Sequence, residues 1–318
     1  MIPRSQDVAD RAGVSRSTVS QILNGHEELF TEETRARVAD AVAELGYHPS
    51  AAGRTLARGS SDLVIVLVPN TTFGGNLQDI YGALTSALAE RGLTLLLRLS
   101  EDSVESLARL ATGLKPRAVL TLTGMPEGQK SALKKRGVEV IQPDARSGAD
   151  VNAQIGAIQA RHLIDKGYRK LAYAHLQDER TDPFGTPREL EFADECRRRG
   201  VPDPRVLHLG VTPESAAAAL DDLGERGFAV ACYNDDVATA LLYAATQRGW
   251  SVPEDLALIG MDNTPLSRLT IPPLTTVGYD ASEVLAASLR SLLRGLDKSD
   301  DAPIDVDVRV EIVERASA

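Results

Sequence analysis

The chain has 318 residues, 43% of them hydrophobic and 25% charged, with a formal net charge of −10. That composition is ordinary for a globular protein, the length suggests two or three domains, and so acidic a chain does not coat nucleic acid nonspecifically. No apolar run approaches the roughly 20 residues that a membrane span needs.

The segment SQDVADRAGVSRSTVSQIL, residues 5–23, predicts two short helices joined by a tight turn at Gly13. Val8, Ala9 and Ala12 give the first an apolar face, and Val19, Ile22 and Leu23 give one to the second. Ser15 stands where the second helix needs an N-cap. Faces this narrow let the helices cross closely with a polar side outward, which is helix-turn-helix geometry. In that geometry the second helix enters the DNA major groove and its first residues reach base edges. Thr31 begins a third predicted helix, with Glu32 and Glu33 in its first turn, Val38, Val42 and Leu45 as its apolar stripe, and Gly46 as its stop.

This all-α three-helix head, residues 1–46, is not basic: through residue 60 there are seven Lys/Arg against eight Asp/Glu. Arg4, Arg11, Arg16, Arg54 and Arg58 fall in segments expected to face DNA, whereas Glu27, Glu28, Glu32, Glu33, Asp40 and Glu44 are expected to face away. Phosphate attraction is then modest, and affinity must lean on specific contacts. Residues 47–61 read as a linker that can be coil or helix, ending in Gly-Ser-Ser.

From residue 62 the character changes. LVIVLVP is a continuous apolar run of the kind buried on both faces of a parallel sheet. Helix-like and strand-like segments then alternate in two series that divide near residues 142–152, which predicts α/β lobes with parallel sheets over residues 62–318. The segment after PPLTTV is expected to cross back and complete both lobes. Ligands bind at the C-terminal strand ends of such sheets, and between two lobes that place is a cleft. Five scattered histidines, with no HExxH, GxSxG or phosphate-binding glycine loop, give no support for an enzyme, a metal or a cofactor. Cys196 and Cys232 make no disulfide framework, and no secretory apolar region opens the chain, so the cytoplasm is the expected location.

DVADRAGVSRSTVSQILNG resembles the N-terminal signature of the LacI/GalR transcription regulators, and RVADAVAELGYHPSAAGRTLARGSS is similar to their third helix and hinge. HLIDKGYRKLAYA, NDDVATALLYAATQRGWSVPEDLALIGMDN and PPLTTV resemble their body segments. The resemblance implies a dimeric, DNA-binding repressor whose two-lobed body is like the periplasmic sugar-binding proteins. Position by position it places Arg16, Ser17 and Gln21 on base edges. That chemistry suits Arg on guanine and Gln on adenine. It assigns Ser15, Thr18, Ser20 and Asn24 to phosphates or capping, and Leu56 to a wedge in the minor groove at the centre of a near-palindromic operator. Gly53, before that wedge, costs about 1 kcal/mol of helix stability, so the hinge is expected to fold only on DNA.

In the cleft the resemblance implies effector contacts from Arg188, Asn234 and Asp262, with Asn70, Phe73 and Asn76 as candidates from the divergent PNTTFGGN loop. Glu191 and the segment HLQDERTDPFGT, which brings Asp178, Glu179 and Asp182 toward the cleft mouth, also depart from the family pattern. A sugar is the first expectation for the effector, and a nucleoside or other polar metabolite the second. A stand-alone sugar-binding protein without DNA function is the reading from another class. Ligand would alter the angle between lobes and the spacing of the two hinges of a homodimer, linking effector and operator reciprocally. No leucine heptad follows VERASA, which favours a dimer over a tetramer.

Overall fold

Local capping sets the three head helices of the computed structural model: α1 (Ser5–Ala12), α2 (Arg16–Leu23) and α3 (Glu32–Leu45). The structure describes residues 3–23, 25–47, 55, 59–71, 75–100, 103–121, 123–142, 145–177, 183–280, 286, 289–290, 293–296 and 309–318, the side chains of 75–76 and 145–150 excepted. Gly13 (φ 66°) and Gly46 (φ 58°) end α1 and α3 in the left-handed conformation that glycine adopts without strain. Ser15 Oγ accepts from the Thr18 N–H at 3.0 Å, and Thr31 Oγ1 from the Thr34 N–H at 3.3 Å. Val8, Ala9, Ala12, Val19, Val38 and Ala41 form the buried centre, with Ile22, Leu23, Val42 and Leu45 half-buried around it.

The body opens with a lobe of β1 (Leu63–Val68), α4 (Gly75–Ala89), β2 (Thr94–Leu99), α5 (Val104–Leu114), β3 (Ala118–Thr121), α6 (Glu127–Lys134) and β4 (Glu139–Ile141). Its sheet is parallel throughout, in the order β2-β1-β3-β4. β1 lies inside, which is why its whole length is apolar. β2 is the edge strand. Its sequence, interrupted by Thr94 and Arg98, leaves Leu96, Leu97 and Leu99 exposed.

The second lobe holds α7 (Ala145–Asp165), β5 (Leu171–Leu176), α8 (Gly185–Arg198), β6 (Arg205–Leu209), α9 (Pro213–Leu223), β7 (Phe228–Cys232), α10 (Asp235–Gln247), β8 (Leu256–Met261), β9 (Thr275–Tyr279) and β10 (Val310–Val313). The sheet order is β6-β5-β7-β8-β9-β10, with β10 antiparallel to β9 and the rest parallel. α7 extends six residues N-terminal of Val151, which with Ile155 and Ile158 packs on the core. The expected return crossing is present: Leu289 and Leu296, between β9 and β10 in sequence, pack on the first lobe's Val64–Val66 cluster.

Residues 315–318 are laced into the second lobe. Ser317 Oγ donates to the Leu258 carbonyl at 2.6 Å and accepts from the Thr275 N–H at 2.8 Å, while the Leu258 N–H donates to the Ser317 carbonyl at 2.7 Å.

Among the described residues no helix is long and apolar enough to cross a membrane, and no group of three or more His, Cys, Asp or Glu could hold a metal ion. Both cysteines are buried free thiols. Burial, with Glu195 beside it, pushes Cys196 up to about 11, and burial with Asp235 nearby pushes Cys232 higher still. Thiolate is the reactive form. The native protein is therefore expected to be inert to a disulfide-exchange dye at mildly alkaline pH, and to titrate two thiols once denatured. Rapid reaction of either thiol in the native state would contradict this.

Candidate nucleic-acid interface and ligand cleft

α2 has two unlike sides. Val19, Ile22 and Leu23 turn into the head core, which leaves Arg16, Ser17, Ser20 and Gln21 exposed. The four fall at i, i+1, i+4 and i+5, one continuous polar face at the start of the helix. Ser15 and Thr18 cap that start, their hydroxyls 2.9 Å apart. Arg11 behaves differently from its expected place among DNA-facing cations: its guanidinium pairs with Glu44 at 2.6 Å, fastening α1 to α3. Both groups are about half exposed, so the pair is worth about 1 kcal/mol at most. Asn24, Gly53 and Leu56 lie outside the described residues.

The candidate ligand site lies at the strand ends. Arg188, in the first turns of α8, is buried at 7% exposure. Its Nε donates to Asn152 Oδ1 at 2.8 Å and its Nη1 to the Tyr233 carbonyl at 2.8 Å. The guanidinium also lies 5.7 Å from the Phe184 ring centre and 5.2 Å from that of Tyr233, within the range of cation–π attraction. So many contacts fix its direction before any ligand arrives. Its neighbour Glu189 has its carboxylate 3.3 Å from His175 Nε2. Glu191 pairs with Arg198 at 2.5 Å.

Asn234 and Asp262 follow β7 and β8 on the same edge of the sheet. Asn234 is an N-cap, its Oδ1 accepting from the Val237 N–H at 3.0 Å, so that oxygen serves α10. Asp262 sits at φ 99° and Asn263 at φ 47°, two consecutive non-glycine residues in a region that L side chains rarely adopt. Strain of this kind persists only where surrounding structure over-determines it, and it gathers at ligand sites. Here Asp235, 1% exposed, accepts from the Thr264 N–H at 2.7 Å, Thr264 Oγ1 at 3.0 Å and Thr276 Oγ1 at 2.6 Å. From the other side Arg315 donates to Asn263 Oδ1 at 2.5 Å and to the Leu274 carbonyl at 2.6 Å. Arg315 Nη1 also donates to Ser267 Oγ at 3.1 Å, so the loop 262–267 is held near both ends.

Asn70 lies half-buried just after β1, while Phe73, the side chain of Asn76, and Asp178, Glu179 and Asp182 lie outside the described residues. The structure adds Tyr233, Asn152, Asp235 and Thr71 to the residues expected from the sequence. The hydroxyls of Thr71 and Tyr233 are 3.1 Å apart, one from each lobe.

Residues 6–50 match the bacterial regulatory proteins of the lacI family, and residues 160–318 match the periplasmic binding protein-like domain. The HTH-type transcriptional regulator GntR of Pseudomonas aeruginosa is 32% identical over 345 residues, covering 99% of this chain and 95% of that protein. The chain belongs to the LacI family. The HTH-type repressor PurR of Mannheimia succiniciproducens is 27% identical across 98% of this chain and 97% of its own length. A crystal structure of the lac repressor dimer bound to operator and an anti-inducer superimposes with a TM-score of 0.78, at 20% identity, over 100% of this chain and 99% of that one. The LacI-family fold is thus a helix-turn-helix head joined to an α/β periplasmic-binding-protein-like body. Its relatives are transcriptional regulators, so the chain is a regulator and not an enzyme. The presence of head and body together sets aside the stand-alone binding protein.

Proposed function

We propose that the protein is a homodimeric repressor that reads a near-palindromic operator and is switched by a polar small molecule in the cleft. The observation that carries the DNA reading is the exposed face of α2, where Arg16, Ser17, Ser20 and Gln21 stand opposite a buried apolar side. Arg16, Ser17 and Gln21 read bases, Ser15, Thr18, Ser20 and Asn24 hold phosphates or cap, and Leu56 wedges the minor groove. Residues 1–46 form the head, 47–61 the hinge and 62–318 the body, and the protein works in the cytoplasm. Two apolar surfaces support the dimer: Leu96, Leu97 and Leu99 on the edge strand of one lobe, and Leu266, Leu269 and Ile271 on the other, Ile271 at 89% exposure. Exposed apolar patches of this kind usually mark contact surfaces.

A sugar is the first reading for the effector. A guanidinium at Arg188 and a carboxylate at Asp262 suit paired hydroxyls, because a carboxylate accepts two and a guanidinium fork donates two. Phe184 and Tyr233 beside Arg188 favour the second reading, a nucleoside, whose planar base would find aromatic faces there.

Arg16→Ala is expected to cost roughly 1–3 kcal/mol per contact and to relax discrimination at one base pair of each half-site. Fluorescence anisotropy on a selected operator and its single-base variants checks it, and an unchanged sequence preference would remove Arg16 from the reading surface. A thermal-shift screen of sugars, sugar acids and nucleosides tests the effector class, since bound ligand raises stability by mass action.

A further inference from the structure

We propose that Tyr233 is the positioning residue that ties Arg188 to closure of the two lobes, a reading that rests on Arg188 as an effector contact. Tyr233 is the residue just past the end of β7 and is only 3% exposed, its ring packed in the core of the second lobe. Three of its parts point to three different jobs. Its carbonyl accepts from Arg188 Nη1 at 2.8 Å. Its ring lies 5.2 Å from the Arg188 guanidinium carbon. Its hydroxyl leaves the lobe altogether and meets the Thr71 hydroxyl at 3.1 Å.

A buried tyrosine hydroxyl usually takes a hydrogen-bond partner, and this one takes it from the other lobe. Thr71 lies in the turn after β1, where its N–H donates to the Pro69 carbonyl at 2.9 Å, so the Thr71 side of the bond is itself held. One side chain therefore links the opposite lobe to the arginine that faces ligand. A ligand that pulls on the guanidinium moves the ring beneath it, and moving the ring lengthens or shortens the bond to Thr71. Conversely, opening the lobes withdraws Thr71 and frees the ring to tilt, which changes the support under Arg188. Effector occupancy and lobe angle then become two readings of one side chain's position, as reciprocal linkage requires.

Energy transfer within one protomer of a mixed dimer tests this on the full chain. Dyes are placed on Glu105→Cys and Glu214→Cys, exposed first-turn positions of α5 and α9 that follow strand ends on opposite lobes. The native cysteines are buried and do not compete for label. Tyr233→Phe, which removes only the hydroxyl, is expected to shift transfer toward the separated state without ligand. Thr71→Val should give the same shift, and the double variant no more than either alone. Arg188→Ala should shift transfer in the same direction, because it removes the support of ring and carbonyl together. Unchanged transfer in Tyr233→Phe, unchanged transfer in Arg188→Ala, or additive shifts in the double variant would overturn the coupling. The effector reading is judged separately, by thermal shift with cellobiose, gluconate, adenosine and guanosine. If Arg188→Ala keeps the wild-type response to whichever of these stabilises the protein while the transfer shifts appear as expected, the effector role of Arg188 fails and the coupling stands.

Discussion

Asp235→Ala is expected to lower the stability of the second lobe by about 3–4 kcal/mol and to abolish the response to effector. The carboxylate receives one backbone N–H and two hydroxyls from Thr264 and Thr276 in a site that is 1% exposed. Alanine leaves the Thr264 N–H without its acceptor and opens a cavity beneath the strained pair Asp262–Asn263. That turn holds two non-glycine residues at positive φ only because it is clamped, so its release changes ligand geometry as well as stability. Urea unfolding monitored in the body would show the first effect, and loss of ligand-induced thermal shift the second. A variant as stable and as responsive as the wild type would show that the clamp is idle.

Asp235→Asn gives a finer test, because burial outweighs the donors and holds this carboxyl above its ordinary 3.8. A carboxyl raised on folding contributes most at pH values below the unfolded value, where both states are protonated. As pH rises, the unfolded chain ionises first, so that contribution falls until the folded value is passed. Asparagine does not titrate. The stability gap between wild type and Asp235→Asn should therefore narrow as pH rises past 3.8. A gap that widens with pH would mean that the three donors outweigh burial.

Gly156→Ala is expected to destabilise the same lobe by about 2 kcal/mol, against the usual sense of a glycine-to-alanine change in a helix. In an exposed helix interior alanine would gain about 1 kcal/mol. Here a Cβ at Gly156 would overlap the carbonyl oxygen and carbon of Arg188, which are backbone atoms that cannot rotate aside. α7 and α8 must separate, and Arg188 moves with them, away from Asn152 and Tyr233. Melting temperature and effector affinity should fall together. A rise in melting temperature would show that the helices move apart without cost.

The head was readable because its signals are local. Ser15, Thr31, Gly13 and Gly46 cap within three residues of where they act, and all four do in the structure what their positions imply. The alternating body was readable for the same reason, strand by strand. Strand order was harder: Thr94 and Arg98 are the hints of an edge in TLLLRL, and the exposure of Leu97 and Leu99 emerged only with the sheet. Asn234 was expected as an effector contact, although its place before Asp235-Asp236-Val237 suits the capping bond it makes. Asp235 stood in plain view, yet its partners are 29 and 41 residues away. Tyr233 is further removed still, since the residue that explains its hydroxyl lies 162 positions earlier. Long-range pairing of this kind leaves no period and no spacing to read.

The lacing of Arg315 and Ser317 under β8 and β9 has a consequence for synthesis. The head core is drawn from residues 8–47, so it can close before any of the body has been made. The second lobe lacks a hydrogen-bond partner along Leu258 and Thr275 until Ser317 emerges. A nascent chain thus owns a finished DNA reader long before it owns a finished sensor. The DNA reader is complete in residues 8–47, whereas the sensor waits for residue 317.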